Sequence, residues 1–407
     1  MKRLAIISTH PIQYNAPWFA LLAKESNIKV KVFYTWSQRQ TNLFDTTFGK
    51  SIEWDIPLLD GYEYTFVENI SKRPGTNSFW GIKCPGLIPQ ILNYSPTHIL
   101  IFGWNFQAHF KAMKYFKGHI PVLFRGDSTL LDYDIQSVKS ILTDHSSFIS
   151  NLKSYIKFKL RVNFLSYIYK HIDKALYVGQ ANKDYFKSCG LKETQLKFVP
   201  HAIDNNRFKD NKTYQYEEKA QNWRRELYIK EQDIVVLYAG KFEPRKNPIL
   251  LAKAFNIISN KYSSNNHQIK LIMVGNGPLE NQVKNITNKN SNIILLPFQN
   301  QTLMPVVYRL CNLFCLSSVS ETWGLAVNEA LASGRPVLLS DKVGCAADLV
   351  HPPSCMFKSG NLIDLTQRME MMIQQIKEHS INKSIPQQQI TPWSFEQIIT
   401  NIKAALD

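Results

Sequence analysis

Two glutamates, Glu321 and Glu329, frame the stretch of the sequence whose residue types are best suited to bind a ligand. Glu321 follows a polar run, and Glu329 lies within a strongly helix-forming segment that stops before Pro336. The first turn of such a helix has N–H groups without intrahelical partners, here near Gly324 and Leu325, and these groups bind phosphate. Carboxylates beside them are suited to accept hydrogen bonds from sugar hydroxyls. For Glu321 alone, a solvated residue that complements the helix dipole is an equally good interpretation.

A second candidate is the basic loop that follows the apolar run Ile234–Tyr238. Lys241, Arg245 and Lys246 lie in this loop, and a helix-forming segment comes directly after it. Loops of this kind bind ligands in α/β proteins, and two lysines can balance a diphosphate as point charges. Without the neighbouring motifs, a solvated basic loop would be the simpler interpretation.

A third candidate is the glycine-rich turn Gly275-Asn276-Gly277, which lies between the apolar run Ile269–Val274 and a further helical segment. A glycine pair of this kind is found in nucleotide-binding turns. The same pair also occurs in turns that bind no ligand, because glycine adopts backbone angles that other residues avoid. The turn by itself leaves both interpretations open.

The elements that must position these loops are two series of short apolar runs, separated by longer amphipathic segments. This alternation predicts parallel strands joined by crossover helices. The first series is Leu4–Ile7, Val30–Phe33, His98–Ile101, Val122–Phe124 and Ala175–Val178, and the second is Ile234–Tyr238, Ile269–Val274, Ile293–Leu296, Leu313–Leu316 and Pro336–Leu339. Two such sheets predict two Rossmann-like domains with ligands at the carboxyl ends of their strands.

The composition limits the kind of protein that this chain can be. Its 407 residues are 44% apolar, enough for two buried cores, and a net charge of +16 favours an anionic partner without identifying it. The 6 cysteines form no CxxC pair and are predicted to be reduced thiols, and Cys311 and Cys315 lack the further ligands of a zinc site. Since no apolar run is long enough for a signal peptide or a membrane-spanning helix, we expect a cytosolic chain.

Taken together, the motifs resemble those of glycosyltransferase family 4. They occur in the order and at spacings similar to those of that family. The matching segments are Gly240-Lys241-Phe242 with Lys246, Val274-Gly275-Asn276-Gly277-Pro278, Pro297-Phe298, and Glu321 followed by Glu329 and by Gly334-x-Pro336. The resemblance covers essentially all of the second half of the chain and, more faintly, the first half.

This resemblance implies an α/β protein of the GT-B fold, with two Rossmann-like domains whose parallel sheets face an interdomain cleft. Residues 1–203 would form the acceptor-binding N-terminal domain, and residues 204–390 the C-terminal domain that binds the nucleotide-sugar donor. Residues 391–407 would form a helix that packs back toward the N-terminal domain. The family transfers a sugar with retention at the anomeric carbon, and it implies neither a metal ion nor a further cofactor.

The resemblance also implies which residues bind the donor. They are Gly240, Lys241, Lys246, Asn276, Phe298, Glu321, Gly324, Leu325 and Glu329. Glu329 would bind the ribose hydroxyls and Glu321 the transferred sugar, while Lys241 and Lys246 would hold the diphosphate. The N-terminus of the helix after Gly324 would offer N–H groups to the phosphates. The backbone near Phe298 would meet the base.

The acceptor side departs from the family pattern. The segment Ser8–Asn15 replaces the usual loop with paired glycines, and Arg125-Gly126-Asp127-Ser128 stands where a histidine is common. His10, Arg125 and Asp127 follow predicted strands, so we include them with Lys241, Lys246 and Glu321 as candidate catalytic residues. A loop-ordering role for His10 and a turn or capping role for Asp127 are the alternatives. Lys241 itself stands where the family usually has arginine, which keeps the charge but not the bidentate geometry.

The segment Asn151–Lys170 combines regularly spaced bases with aromatic residues and contains no acidic residue. Such a helix can lie on an anionic membrane, and the alternative is an ordinary core-packing helix with a basic outer face. Because the core has the stronger claim on the aromatic residues, we expect the bases to contribute more to membrane attachment than any aromatic.

These inferences predict a retaining, metal-independent glycosyltransferase that moves a sugar from a nucleotide diphosphate to a glycan, lipid-linked or small-molecule acceptor. We expect it to serve bacterial surface-glycan assembly, in the cytoplasm or on the inner face of the cytoplasmic membrane. A nucleotide-sugar 2-epimerase of similar architecture is one alternative, although it needs acid and base residues beside C2. A non-catalytic basic protein that binds nucleic acid or membrane is the other, although no recognised nucleic-acid module accompanies the charge.

Overall fold

The computed structural model describes residues 1–36, 43–45, 50–52, 54–132, 148–262, 268–352, 354–378 and 384–407. The chain divides into two compact units. The first contains Met1–Thr41, Pro57–Pro200 and Phe395–Asp407, and the second contains Asn42–Ile56 and His201–Ser394. Residues 42–56, which were predicted to lie in the first domain, therefore group with the second unit.

The strands and helices alternate along most of the chain. In chain order the strands are β1 (Lys2–Ser8), β2 (Ile28–Tyr34), β3 (Leu43–Asp45), β4 (Lys50–Ile52), β5 (Glu63–Phe66), β6 (His98–Phe102), β7 (Val122–Arg125), β8 (Lys174–Tyr177), β9 (Leu196–Phe198), β10 (Ile234–Ala239), β11 (Ile269–Val274), β12 (Ile293–Leu296), β13 (Leu313–Leu316), β14 (Val337–Ser340) and β15 (Cys355–Phe357). The helices are α1 (Ala16–Ala23), α2 (Leu87–Tyr94), α3 (Gln107–Phe116), α4 (Phe148–Tyr169), α5 (Gln180–Ser188), α6 (Asn205–Phe208), α7 (Tyr216–Glu226), α8 (Pro248–Lys261), α9 (Glu280–Thr287), α10 (Met304–Arg309), α11 (Leu325–Ala332), α12 (Ala346–Leu349), α13 (Leu362–Lys377), α14 (Ser384–Ile390) and α15 (Phe395–Ala405).

Each unit is built around one parallel sheet. The first sheet has seven strands in the order β5-β2-β1-β6-β7-β8-β9, and the second has six in the order β12-β11-β10-β13-β14-β15. In both sheets the strand order reverses beside the first strand of the series, between β1 and β6 and between β10 and β13. The predicted fold class of two Rossmann-like domains with parallel sheets is therefore confirmed.

The central strands form because their sequences are apolar on both faces, as parallel strands covered by helices require. Every residue of β10, β13 and β14 is buried. Separate cores fill the two units, one around β1, β6 and β7 and the other around β10, β11 and β13. These two cores make the carboxyl ends of the central strands rigid platforms for the loops that follow.

The helix α15 belongs to the first unit although it follows the whole of the second unit in sequence. Ile398 and Ile402 on one face of this helix are buried, and α15 packs on α1. Polar contacts add to this packing, because Nζ of Lys174 donates to the carbonyl of Ala405 over 2.6 Å and Lys403 pairs with Glu25. The helix thus completes the hydrophobic core of the first unit.

The cysteines are not a reactive set. All are free thiols, and each is buried except Cys355, which is half-buried. Burial raises the pKa of the Cys189 thiol to about 11 and that of Cys311 to about 12. Among the helices in the described part of the chain, none is both long enough and apolar enough to cross a membrane.

Candidate functional site

The loops after β10 and β13 bring together the two charged side chains at the centre of the candidate site. These strands are neighbours at the reversal of the second sheet, which is where ligands bind in open α/β sheets. Lys246 ends the short 3-10 helix Pro244–Lys246 after β10, and Glu321 follows β13. Nζ of Lys246 donates to Oε2 of Glu321, and both side chains are largely buried. Two separately predicted residues therefore form one ion pair.

Backbone hydrogen bonds fix Glu321 by joining the loop after β13 to the loop after β14. The N–H of Glu321 donates to the carbonyl of Lys342 over 3.1 Å, and the N–H of Gly344 donates to the carbonyl of Glu321 over 2.9 Å. Gly344 must be glycine, because a Cβ atom there would lie 1.8 Å from the carbonyl oxygen of Thr322. The carboxylate of Glu321 is therefore held by two strand-end loops at once.

The loop that carries Lys246 is tied to the same place. The N–H of Val319 donates to the carbonyl of Arg245 over 2.8 Å, and the hydroxyl of Ser317 donates to the carbonyl of Asn247 over 2.8 Å. Asn247 also begins α8, where its side chain accepts from the N–H of Leu250. The three loops after β10, β13 and β14 thus form one connected surface around the ion pair.

The N-terminus of α11 lies beside Glu321. Gly324 precedes the helix with a φ of 100°, a left-handed conformation that favours glycine. Within the described part of the chain, no side chain caps this end of the helix, and no acidic residue lies in its first turn. A Cβ atom added to Gly324 would lie 3.4 Å from Cγ of Glu321, so the carboxylate and the helix end are adjacent. This arrangement can bind an anion at the helix and a hydroxyl group at the carboxylate.

Glu329 lies further along α11 and is 2% exposed. Its Oε2 accepts a 2.7 Å hydrogen bond from the hydroxyl of Tyr308 on α10. The helix is held in place by Asn328, which accepts from the indole of Trp323 and donates to the carbonyl of His201. Tyr308 and Trp323 were not among the predicted site residues, because no sequence motif indicates that they contact Glu329 and Asn328.

The glycine-rich turn Gly275-Asn276-Gly277 packs against the loop after β10 through its backbone. A Cβ on Gly275 would lie 2.0 Å from the carbonyl oxygen of Gly240, and one on Gly277 would lie 2.6 Å from that of Phe242. The φ angles of the two glycines, 147° and 157°, also lie in the range that favours glycine. Close packing between two strand-end loops thus accounts for both glycines without any ligand.

Lys241 follows Gly240 at the end of β10 and is half-buried. Its carbonyl accepts a 2.7 Å hydrogen bond from the hydroxyl of Tyr238, a fully buried residue whose pKa burial raises well above its ordinary value. This bond fixes the backbone of Lys241. The lysine therefore starts from a rigid point on the loop that also carries Lys246.

Asn276 and Phe298 also contact each other. The N–H of Phe298 donates to Oδ1 of Asn276 over 2.9 Å, and Nδ2 of Asn276 donates to Glu280 over 3.1 Å. The Asn276 side chain therefore connects the turn after β11 to the segment after β12. The Phe298 N–H is therefore already bonded within the second unit.

The candidate residues of the first unit lie at the ends of β1 and β7. His10 is within 3.0 Å of the Thr9 hydroxyl through Nδ1, and its ring stands edge to face with Trp36 at 5.5 Å. Burial lowers the pKa of His10 to about 4, so this histidine is neutral at physiological pH.

A second histidine, His109, was not predicted. It is fully buried on α3, and its ring nitrogens meet the Thr35 hydroxyl at 2.8 Å and the Phe102 carbonyl at 2.9 Å. Burial lowers its pKa to about 4. His109 thus connects the ends of β2 and β6, and no motif in the sequence marks it.

Arg125 ends β7 and is 3% exposed. Its guanidinium donates to the carbonyls of Val199 and Pro200 over 2.7 and 2.8 Å. Burial lowers the pKa of Arg125 to about 10, and the charge of Asp127 opposes that shift. Arg125 was predicted to be catalytic, but two of its guanidinium nitrogens hold the backbone of Val199 and Pro200, where the chain leaves the first unit. Asp127 is partly exposed two residues later.

Metal ligands are not grouped in the part of the chain that the structure describes. No set of three or more histidine, cysteine, aspartate or glutamate side chains there could hold a metal ion. Cys311 and Cys315 are buried in the second unit, on either side of the start of β13.

Comparison with known families gives a match in the second unit. Residues 219–390 match the family described as Glycosyl transferases group 1. This range contains every residue predicted to bind the donor, from Gly240 to Glu329. The match therefore covers the loops that form the candidate site.

Two curated relatives illustrate the range of matching proteins. An uncharacterised glycosyltransferase of Methanocaldococcus jannaschii is 26% identical over 212 residues, which are 50% of this chain and 48% of that protein. The UDP-Gal:alpha-D-GlcNAc-diphosphoundecaprenol alpha-1,3-galactosyltransferase of Escherichia coli is 28% identical over 149 residues, 34% of this chain and 35% of that protein. The chain spans about half the length, or less, of the curated relatives that it matches.

Solved structures are similar over the whole chain. The crystal structure of Anabaena HepE in complex with UDP-glucose has a TM-score of 0.66 and 15% identity, and the similarity covers 100% of this chain and 99% of that chain. At this identity the similarity concerns the fold. The chain has the GT-B fold, as the motif resemblance implied.

Proposed function

We propose that the chain is a retaining glycosyltransferase that transfers a sugar from a nucleotide-diphosphate donor without a metal ion. The single observation that carries this proposal is the ion pair between Lys246 and Glu321 beside the N-terminus of α11. This arrangement puts a cation, a hydroxyl acceptor and helix N–H groups at one strand-end surface. The family match over residues 219–390 supports the glycosyltransferase part of this proposal.

The chemistry that these groups can perform follows from the charges that develop during transfer. Cleavage of the bond between sugar and phosphate leaves a diphosphate, so positive groups must be present where the negative charge grows. Lys246 and Lys241 are proposed to supply that charge, together with the N–H groups at the start of α11. Glu321 is proposed to accept from hydroxyls of the transferred sugar while its ion pair keeps Lys246 in place.

Retention is proposed to proceed by front-side attack assisted by the leaving phosphate. A covalent route would require a carboxylate poised beneath the anomeric carbon, as in retaining hydrolases. Glu321 is already paired with Lys246, and Glu329 is buried with one oxygen bonded to Tyr308. Neither carboxylate is a convincing nucleophile.

For the acceptor, we propose a glycan, a lipid-linked sugar or a small molecule in bacterial surface-glycan assembly. The Escherichia coli relative, whose name gives a diphosphoundecaprenol acceptor, supports the lipid-linked member of this set. The first unit is the proposed acceptor side, with His10 and Asp127 as candidate contacts and the cytoplasm as the proposed location. No nucleic-acid partner is proposed.

The test is a thermal-shift titration with UDP, GDP, ADP and their common sugar conjugates in the presence of a chelator. A cognate nucleotide at about 100 times its dissociation constant adds roughly 2.7 kcal/mol to the stability of the unit that binds it. We expect one nucleotide series to raise the melting temperature without added metal.

The variant Lys246→Ala should lose most of that shift, whereas Lys253→Ala, at an exposed lysine on α8, should retain it. If none of the nucleotides changes the melting curve, or if the shift appears only with a divalent metal, the proposed donor site or its metal independence is wrong.

A further inference from the structure

We propose that the first unit docks on an anionic lipid membrane through an exposed face made by α4 and the 3-10 helix Phe79–Gly81. We call it the amphipathic face. Its apolar members are Trp80, Ile156, Leu160, Phe164 and Tyr167, and its basic members are Lys157, Lys159, Arg161 and Lys170. The proposal does not rest on the proposed enzymatic activity, because it concerns a different surface.

The apolar part of this face is a stripe along α4. Ile156, Leu160, Phe164 and Tyr167 recur at helical spacing and are 49%, 65%, 52% and 47% exposed. Leu165 and Tyr169, on the opposite side of the helix, are buried in the core of the first unit. The helix therefore has one apolar side in the core and a second apolar side in solvent.

The bases border this stripe on both sides. By helical geometry, Lys159 and Lys170 lie along one edge, and Lys157 and Arg161 lie along the other. All four residues are exposed, and residues 148–170 contain no acidic residue. An apolar stripe between two rows of bases is the pattern of a helix that lies in the interface of an anionic membrane.

Ring contacts extend the face from α4 to Trp80. The ring of Tyr167 lies 6.4 Å from that of Phe110, the ring of Phe110 lies 6.4 Å from that of Phe79, and Phe79 contacts Trp80 at 5.2 Å. Lys114 adds a further base 5.9 Å above the Phe110 ring. Trp80, which is 66% exposed, is therefore continuous with the stripe on α4.

The loop that presents Trp80 is held by polar contacts to its backbone. The hydroxyl of Ser71 donates to the carbonyl of Trp80 over 2.7 Å, and Nδ2 of Asn69 donates to the carbonyl of Gly81 over 2.9 Å. Gly81 packs so closely on Gly75 that a Cβ atom would lie 2.1 Å from the Gly75 carbonyl oxygen. The backbone is fixed while the indole remains in solvent, and tryptophan in this setting is typical of the membrane interface.

Charge decides the occupant of the face. A second copy of the chain would bring the same bases against one another, which is unfavourable. A nucleic acid would use the bases but would leave the aliphatic stripe of Ile156 and Leu160 in water. An anionic lipid surface satisfies both parts, because the phosphates attract the bases and the interface takes up the apolar side chains.

The structure also changes which side chains of α4 are expected to contribute to membrane binding. The sequence predicted that the core would take the aromatic residues of this helix and leave the bases to provide attachment. Phe164 and Tyr167 are instead half exposed, and the core is filled by Leu165, Ile168 and Tyr169. We therefore expect the apolar stripe and the bases to contribute together.

The test is sedimentation of the full chain with vesicles of phosphatidylglycerol and phosphatidylcholine, and with vesicles of phosphatidylcholine alone, at low and high salt. We expect salt-sensitive binding to the anionic vesicles. Each base near such a surface is worth about 1 kcal/mol, so a triple variant of Lys157, Lys159 and Arg161 to Glu should bind at least about 10²-fold more weakly. A double variant, Trp80→Gln with Leu160→Gln, should bind about 10-fold more weakly.

Each variant has a matched control in the second unit. Charge reversal at three exposed lysines, Lys212, Lys253 and Lys289 to Glu, makes the same change in net charge. The pair Tyr228→Gln and Ile363→Gln removes two apolar side chains that are 92% and 70% exposed. Both control variants should bind anionic vesicles as the unchanged chain does, and circular dichroism should show that all four variants are folded.

Three results would overturn the proposal. The first is equal binding to anionic and neutral vesicles, or no binding to either. The second is a loss of binding in the charge-reversed control as large as in the triple variant of α4. The third is self-association in the absence of vesicles that the Leu160→Gln change abolishes, because it would assign the face to a second copy of the chain.

Discussion

At the scale of single residues, the candidate site depends on a contact between side chains far apart in sequence. Lys246 and Glu321 each belong to a recognisable motif, so both could be predicted as ligand-binding residues. Their ion pair could not, because it depends on which strands are neighbours in the sheet. Arg125 shows the opposite case, since its position after a strand was visible but its carbonyl partners at Val199 and Pro200 were not.

We predict that Lys246→Ala and Glu321→Ala each reduce sugar transfer by about 10²-fold or more while the chain remains folded. The double variant should cost less than the sum of the two, because the residues contact each other. Lys241→Arg should retain activity, since it keeps the charge. Turnover with the cognate donor measures these effects, and Lys253→Ala serves as the control. Near-normal transfer by both single alanine variants would contradict the assigned roles.

We also predict that two histidines, the partly buried His10 and the fully buried His109, make the stability of the protein depend on pH. Burial lowers the pKa of His10 and His109 to about 4, below the ordinary value near 6.5. The unfolded chain therefore binds protons first as the pH falls, so their contribution to stability is complete above about pH 6.5 and is lost progressively towards pH 4. Each such histidine gives a slope of at most about 1.4 kcal/mol per pH unit.

Urea unfolding at pH 7, 6 and 5 measures this slope. His109→Gln should be less stable at neutral pH but should show a shallower decrease with acid, whereas His119→Gln, at the surface, should follow the unchanged chain. Identical slopes for all three proteins would mean that His109 is not kept neutral by its surroundings.

At the scale of elements, the central strands could be predicted because they are continuous apolar runs. β10 and β13 are examples, and the structure has both. The edge strands β5, β9 and β15 were not predicted, because they are short and only partly buried. A strand at an exposed edge of a sheet is less buried and contains fewer apolar residues, so it lacks the continuous apolar run that identifies a central strand.

The close approach of two loops at Gly344 leads to a prediction for the proposed donor site. A methyl group in Gly344→Ala would overlap the Thr322 carbonyl, so the loops after β13 and β14 must separate. Because Glu321 is held between them, nucleotide affinity should fall at least about 10-fold, as expected when a binding group loses its rigid support. Calorimetric titration checks this, and Gly86→Ala, where Cβ would meet only a flexible side chain at 3.3 Å, is the control.

At the scale of the whole molecule, each unit completes its own core from distant parts of the sequence. The resemblance implied a returning C-terminal helix, but neither its register on α1 nor the inclusion of residues 42–56 in the second unit could be deduced from sequence. Both depend on packing between surfaces rather than on a local pattern. The pattern of apolar and basic residues along α4 was also ambiguous, because an apolar residue can lie on the side of a helix that faces the core or on the side that faces solvent.

We predict that Ile402→Asp destabilises the first unit by about 3 kcal/mol or more, because it buries a charge against α1. Hydrogen exchange should then show faster exchange of the α1 amides, Ala16–Ala23, while the α8 amides in the second unit keep their protection. Thr400→Asp, on the exposed side of the same helix, should change neither. Equal loss of protection in both units would contradict independent cores.

The membership of α15 in the first unit also bears on the order in which the protein is synthesised. Domains generally fold as their residues emerge from the ribosome, N-terminal part first. Here the first unit has to wait for residues 395–407, which are translated only after the whole of His201–Ser394. The first unit is therefore complete only after the second, and until then the apolar surface of α1 that α15 covers is open to chaperones and to other nascent chains.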